Sequence, residues 1–268
     1  MNYRNWNHTV KNGVVVMGIL NATPDSFSDG GSYETADDAV KKALIMEEQG
    51  AGIIDVGGES TRPGFTPVPE EEEIRRVVPV VEGIRKKSDI VISVDTTKAG
   101  VAKAALDAGA DIINDIACLN DEKLGGVVAD AGCGYVLMHN RYDRPYNDFY
   151  TDYINDLKDA LDRAFKLGIK KENIILDPGV GFAKDYGQNL TVIKHLKELK
   201  DMGYPVLLGI SKKSVIGNCL NVPIPERLAG TLALDSFGIL NGADIIRVHD
   251  VKEHVETVKM LQAVINAE

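Results

Sequence analysis

Two sets of side chains in this 268-residue chain have the types to do chemistry together. Asp95, Asn114 and Asp177 form the first set, and Arg62, Lys213, Arg247 and His249 the second. The carboxylates and the amide suit a flat heterocycle that carries amino and ring N–H groups. A buried carboxylate facing such donors gains about 1.5–3 kcal/mol per charge-assisted bond. An analogue lacking the matching N–H is rejected, because the acceptor is left unpaired. The cations suit phosphate: arginine presents a planar fork to paired oxygens, and lysine acts as a point charge. Asn21 can offer a carbonyl oxygen to Mg²⁺, a hard cation that accompanies phosphates and keeps several waters.

Several of these residues have simpler alternative uses. Asp95 could cap the helix that follows Thr96, and Asp177 could organise the turn at Pro178. One of Asn114 and Asp115 is expected to serve loop backbone, and one of Lys212 and Lys213 to be solvated. His139 is expected to be a structural histidine. Arg247 and His249 alternate along a strand and so share a face. Asp55 and Glu59 are expected as internal partners of the cations. His8, His195 and His254 fall on the tail and outer helices and are expected at the surface. The acidic run 70–73 reads as a solvated first helical turn and not as a metal site.

The elements that must position these groups repeat one pattern: a short apolar, β-branched run, a loop, then an amphipathic stretch. The apolar runs are 14–20, 52–58, 90–95, 111–116, 135–139, 174–179, 206–211 and 244–249. Helical patterns follow near 35–49, 70–87, 98–108, 121–131, 151–168, 188–202, 225–241 and 251–266, several of them stopping at glycine. Eight β–α units in this length predict a single-domain α/β chain, a (β/α)₈ TIM barrel over 1–268. A doubly wound open sheet is the competing architecture, but neither a G-x-G-x-x-G nor a Walker A pattern supports it. The polar residues cluster at the C-terminal ends of the runs. In a barrel those ends meet in one mouth, where such folds hold their active sites. Long loops after Leu20 and over 61–69 are expected to close over that mouth and exclude water.

A hydrophobic fraction of 44% allows a sizeable core, and a net charge of −10 argues against a general nucleic-acid binder. Cys118, Cys133 and Cys219 make no C-x-x-C pair, so neither a zinc site nor a disulfide framework is expected. The polar N-terminal stretch lacks the apolar core of a signal peptide, and no run approaches a membrane span. The expectation is a cytoplasmic protein with small-molecule substrates.

The segments NATPDSFSDGG, GAGIIDVGGESTRPG, SVDTTKAGVAKAALDAGADIINDI, ILDPGVGFAKDYGQNL, SKKSVIG and GADIIRVHDV occur in this order. Together they resemble the dihydropteroate synthase family from about residue 14 to residue 266. Ala22, where valine is usual, and Lys212, where arginine is usual, are mild departures. The resemblance implies condensation of 6-hydroxymethyl-7,8-dihydropterin pyrophosphate with p-aminobenzoate, through SN1-like loss of pyrophosphate. It implies that Asp95, Asn114, Asp177 and Lys213 hold the pterin, with Met138 and Phe182 nearby and Arg247 stacked on the ring. Asn21, Arg247 and His249 would hold the pyrophosphate with Mg²⁺, and Arg62 is the further cation assigned there. The aminobenzoate would touch Phe27, Thr61, Pro63, Phe182, Lys213 and Ser214. The resemblance also implies a homodimer.

Three other readings stay open on the sequence. A methyltetrahydrofolate-dependent methyltransferase shares a pterin-binding barrel, but gives Asn21, Arg247 and His249 no pyrophosphate to hold. A Schiff-base lyase would need a desolvated Lys213. A pterin-binding module without turnover would retain the same charged positions.

Overall fold

The computed structural model describes residues 6–11, 13–22, 35–59, 68–142 and 145–267. Eight strands form one sheet: β1 Val15–Asn21, β2 Ile53–Gly57, β3 Val91–Asp95, β4 Ile112–Asp115, β5 Gly134–Met138, β6 Ile174–Asp177, β7 Leu207–Leu208 and β8 Ile245–Val248. The spatial order is β6-β5-β4-β3-β2-β1-β8-β7, and all paired neighbours run parallel. A parallel bridge from Leu176 to Val206 joins the two ends. The sheet is therefore a nearly closed (β/α)₈ barrel and not a doubly wound open sheet.

The helices are α1 Trp6–Lys11, α2 Ala36–Glu48, α3 Glu70–Arg85, α4 Ala99–Ala108, α5 Glu122–Ala131, α6 Phe149–Lys166, α7 Tyr186–Lys194, α8 Leu196–Lys200, α9 Ser214–Leu220, α10 Leu228–Leu240 and α11 Val251–Ile265. Three depart from the sequence reading. Helix α1 arises in what reads as a polar tail, because Trp6 and Val10 bury themselves in the barrel interior. The single stretch expected over 188–202 divides at His195, which leaves helical geometry (φ −97, ψ 21). A short α9 forms directly after Lys213, inside the expected loop.

Successive strand side chains point to opposite faces, so each strand sends alternate residues inward. Val15, Met17, Ile53, Val91, Ile112, Val136, Ile175, Leu207 and Ile245 fill the interior. Their neighbours Val16, Ile54, Ile92, Ile113, Leu137, Leu176 and Ile246 pack outward under the helices. Among the described residues, no helix is long and apolar enough to cross a membrane.

Candidate active site

The same alternation, continued toward the strand C-termini, brings polar residues into the interior. Two positions beyond Ile53 lies Asp55, beyond Ile112 lies Asn114, beyond Ile175 lies Asp177, and beyond Ile245 lies Arg247. Register aligns them: Gly57 pairs with Asp95, Asp95 with Asn114, Met138 with Asp177, and Met17 with Arg247. The acids, the amide and the arginine therefore stand at similar heights around one mouth.

Arg247 occupies its centre. Its Nε donates to Asp55 Oδ2 at 2.6 Å, and its Nη2 donates to Asp95 Oδ2 at 2.8 Å. Asn114 Nδ2 adds a third donor to this group, reaching Asp55 Oδ2 at 3.2 Å. Asp55 is fully buried, and the two neighbouring carboxylates lift Arg247 above its usual basicity despite the burial that opposes them. Burial raises the Asp95 carboxyl to about 7, with Arg247 opposing. Three buried atoms here, Asp55 Oδ1, Ser93 Oγ and Asn114 Oδ1, have no hydrogen-bond partner among the described residues. Buried polar atoms are rarely left so, and acceptors of this kind suit an incoming N–H donor.

Across the mouth, Asp177 is buried and its carboxyl is raised by burial, with the Lys213 ammonium opposing. Its Oδ1 accepts the Gly179 N–H at 2.7 Å, so it organises the turn at Pro178 and keeps Oδ2 for another donor. Lys213 Nζ donates to the Val180 carbonyl at 2.5 Å and stands 4.8 Å from the Phe182 ring centroid. Burial lowers its ammonium to about 8, with Asp177 partly compensating. A side chain at Gly209 would approach Asp177 Oδ2 at 3.8 Å and Arg247 Cβ and Cδ at 3.9 Å, so this glycine keeps the middle of the mouth open. His249 Nδ1 lies 2.9 Å from Ser211 Oγ, which also accepts the His249 backbone N–H at 3.2 Å. Ser214 is exposed at the first position of α9, and Met138 is buried at the end of β5. Phe182 is half-buried on the β6–α7 loop.

Other expectations are met or corrected around this centre. Asp115 is the member of its pair that serves backbone, accepting from Ala117 and Leu119, and it also accepts from the Tyr135 hydroxyl. Asp95 is not a helix cap, since α4 begins after Lys98. Lys212 is held by Asp250 at 2.8 Å and is not simply solvated. Asp55 does partner a mouth cation, but Glu59 does not: it pairs with Lys98 at 2.6 Å. Glu73, expected in a solvated turn, is buried and takes the same Lys98 at 2.5 Å. The acidic run reads as surface because Lys98 lies too far along the sequence to be recognised as its counter-charge. His254 is likewise buried against Asp235 at 3.1 Å, between α10 and α11. His139 is wholly buried and bonded on both ring nitrogens, in keeping with a structural histidine. Phe27, Thr61, Arg62 and Pro63, with the two long loops that carry them, lie outside the described residues.

Among the described residues, no three His, Cys, Asp or Glu side chains gather to hold a metal ion. A mostly hydrated hard cation needs less from the protein. Asn21 ends β1 half-buried, and a methyl group at Gly57 would stand 3.9 Å from its Oδ1 and 3.8 Å from the Asp95 Cβ. The missing side chain at Gly57 leaves room beside this neutral oxygen, so the residues present fit Mg²⁺ with water and phosphate as its remaining ligands.

The family model for pterin binding enzymes matches residues 17–249. Dihydropteroate synthase of Bacillus subtilis (strain 168) is 51% identical over 257 residues, covering 96% of this chain and 90% of its own. A crystal structure of dihydropteroate synthase from Clostridium difficile, in the presence of pteroic acid, has a TM-score of 0.91 at 46% identity over 95% of this chain and 98% of that one. The Xanthomonas albilineans dihydropteroate synthase with 4-aminobenzoic acid has a TM-score of 0.92 at 41% identity, covering 96% and 95%. From within β1 to just past β8, the chain belongs to the pterin binding enzyme family, among its dihydropteroate synthases.

Proposed function

We propose that the chain condenses 6-hydroxymethyl-7,8-dihydropterin pyrophosphate with p-aminobenzoate, giving 7,8-dihydropteroate and pyrophosphate. The observation that carries this reading is the convergence of Asp95, Asn114, Asp177, Lys213 and Arg247 on one barrel mouth, with Arg247 bonded to Asp55 and Asp95. Asp177 and Asn114 Oδ1, which has no partner among the described residues, accept N–H groups of the pterin, and Lys213 donates to it. Asp95 completes this set, while Met138 and Phe182 contribute apolar contact. One edge of Arg247 is held by the two carboxylates, which leaves its planar face for the ring. Arg247 and His249 take the diphosphate, with Arg62 as a further cation.

The C–O bond to pyrophosphate breaks first, and its electron pair leaves with the diphosphate. Positive charge spreads into the dihydropterin, whose ring lies among carboxylates. The amine nitrogen of p-aminobenzoate then attacks the exocyclic carbon and loses a proton. The protein's contribution is fixed charge placed in advance on both partners of the breaking bond. Asn21 would help to hold Mg²⁺, which would supply further neutralisation of the diphosphate charge. Phe182, Lys213 and Ser214 are assigned to contact p-aminobenzoate, and Phe27, Thr61 and Pro63, outside the described residues, are assigned the same role.

The protein acts in the cytoplasm and as a homodimer in this reading. Exposed Leu220 on α9 and exposed Phe237 and Leu240 on the adjacent α10 support self-association. Sedimentation tests it: a monomer at micromolar concentration overturns the dimer. The reaction itself is tested by supplying the pterin pyrophosphate, p-aminobenzoate and Mg²⁺. Amine-dependent formation of dihydropteroate, inhibited by sulfonamides, is expected; pyrophosphate release with no coupled product overturns the assignment.

A further inference from the structure

Lys184 is a lysine that the chemistry above leaves unused, yet its amine is buried at the back of the mouth. Its Nζ lies 3.0 Å from the Gly179 carbonyl, 3.0 Å from the Phe182 carbonyl and 2.8 Å from His139 Nδ1. An ammonium has three N–H donors and no acceptor. Three acceptors at these distances satisfy it. His139 must then accept at Nδ1, which puts its own proton on Nε2, 3.3 Å from Asp156 Oδ2. Asp156 is in turn held by Arg141, from Nε at 2.8 Å and Nη2 at 3.2 Å. Arginine, aspartate, histidine and lysine thus form one hydrogen-bonded chain in which each link joins a donor to an acceptor.

That chain ends on the turn that faces the substrate. Between the two carbonyls Lys184 grips lies Val180, whose own carbonyl receives Lys213. Phe182, whose carbonyl Lys184 holds, presents its ring to the same Lys213. The turn has little freedom elsewhere: Gly179 adopts φ +66, and a Cβ there would stand within 1.9 Å of the His139 carbonyl. Only glycine allows this approach. Asn189 fixes the other side, accepting the Gly181 N–H at 2.6 Å and donating to the Lys184 carbonyl at 3.2 Å.

We propose that Lys184 is a positioning residue for the pterin end of the site, holding the 179–182 turn so that the Val180 carbonyl and the Phe182 ring meet Lys213. The proposal rests on the synthase reading above. The groups facing Lys184 are Cys118 after β4, His139 after β5, Asp156 and Tyr153 on α6, Asp177 on β6, and Lys213 before α9. Burial among them lowers its ammonium to about 7.

The test compares Lys184→Met, Asp156→Asn and, as a control, Lys200→Met. Lys200 pairs with Asp244 at the opposite end of the barrel. For each, steady-state kinetics across pH and urea unfolding are measured. Lys184→Met is expected to raise KM for the pterin pyrophosphate by about tenfold or more, the scale of one lost charge-assisted hydrogen bond, with kcat less affected. Released from the Val180 carbonyl and from the neighbouring Lys184 charge, Lys213 changes its proton affinity, so the basic limb of the pH profile moves. Asp156→Asn keeps the lysine but loses the anion that orients His139, and is expected to move both readouts the same way by less. Lys200→Met is expected to lower the unfolding midpoint alone. A Lys184→Met protein that loses stability with KM and the basic limb unmoved overturns the proposal. If that variant does not fold, an unmoved KM and limb in Asp156→Asn overturn it instead. Absence of turnover in the parent protein would overturn the synthase reading; the positioning role is then read from pteroic acid affinity by calorimetry, where equal binding by parent and Lys184→Met counts against it.

Discussion

The two ends of the barrel interior are built from the same strands and the same alternation, yet they bury opposite kinds of side chain. At the N-terminal end, Val15, Ile53, Val91, Ile112, Ile175 and Ile245 meet Trp6 and Val10 of α1 in one apolar cluster. At the C-terminal end, the next inward residues include Asp55, Asp95, Asn114, Asp177 and Arg247. The first end is sealed by a helix, so it is stabilised by burying apolar surface. The second end carries charge that water cannot fully screen, and it is tolerable because Arg247 lies between Asp55 and Asp95 and Lys213 stands near Asp177. The barrel thus separates stability from chemistry along its axis.

That separation can be broken most severely at Arg247. Arg247→Met leaves Asp55 and Asp95 buried without their counter-charge. Activity is expected to fall by about 10³-fold, the upper range for losing one fixed charge donor. Stability should fall by about 3–5 kcal/mol. Retained kcat/KM would place the chemistry elsewhere. At the sealed end, Ile112→Ala is expected to cost about 2–5 kcal/mol in urea unfolding with kcat/KM unchanged. A comparable loss of activity there would show that the two ends are not independent.

Smaller effects sharpen the comparison. Burial keeps the Lys213 ammonium at about 8, below the ordinary lysine value, so its charge is present below that pH and lost above it. Affinity for the pterin pyrophosphate should therefore fall as pH rises past 8, by at most about tenfold per unit. Calorimetry that finds constant affinity up to pH 10 would remove Lys213 from the pterin contacts. The smallest effect is expected at the boundary between the two ends. Ser93 Oγ is buried with no partner among the described residues, so Ser93→Ala should change stability by less than about 0.5 kcal/mol. A cost well above that would reveal a water bound at this level.

His139 offers a further check on the Lys184 chain. Burial lowers its imidazole to about 4. The unfolded chain therefore binds more protons than the folded one between pH 6.5 and 4, and stability should decline as pH falls through that window.

The alternation of apolar runs with amphipathic stretches was enough to read the barrel, because a parallel strand buried on both faces is apolar throughout while the helix covering it is apolar on one face only. It was also enough to read the polar strand ends, since a charge at the end of a buried run has few places to go. The short α9, the break at His195 and the plug formed by α1 were not legible: each depends on what the segment packs against and not on its own pattern. The same holds for partners. Arg247 and Asp55 are 192 positions apart, and nothing local matches them.

By itself, then, the sequence determined that eight apolar runs alternate with amphipathic stretches and that the polar side chains gather at the C-terminal ends of the runs. Only the tertiary structure decided who pairs with whom: Glu59 and Glu73 with Lys98, His254 with Asp235, and Lys184 with His139. The physical reason is range. Periodicity and capping act over a few residues, whereas a buried charge is satisfied by whichever group the closed sheet brings within hydrogen-bonding distance.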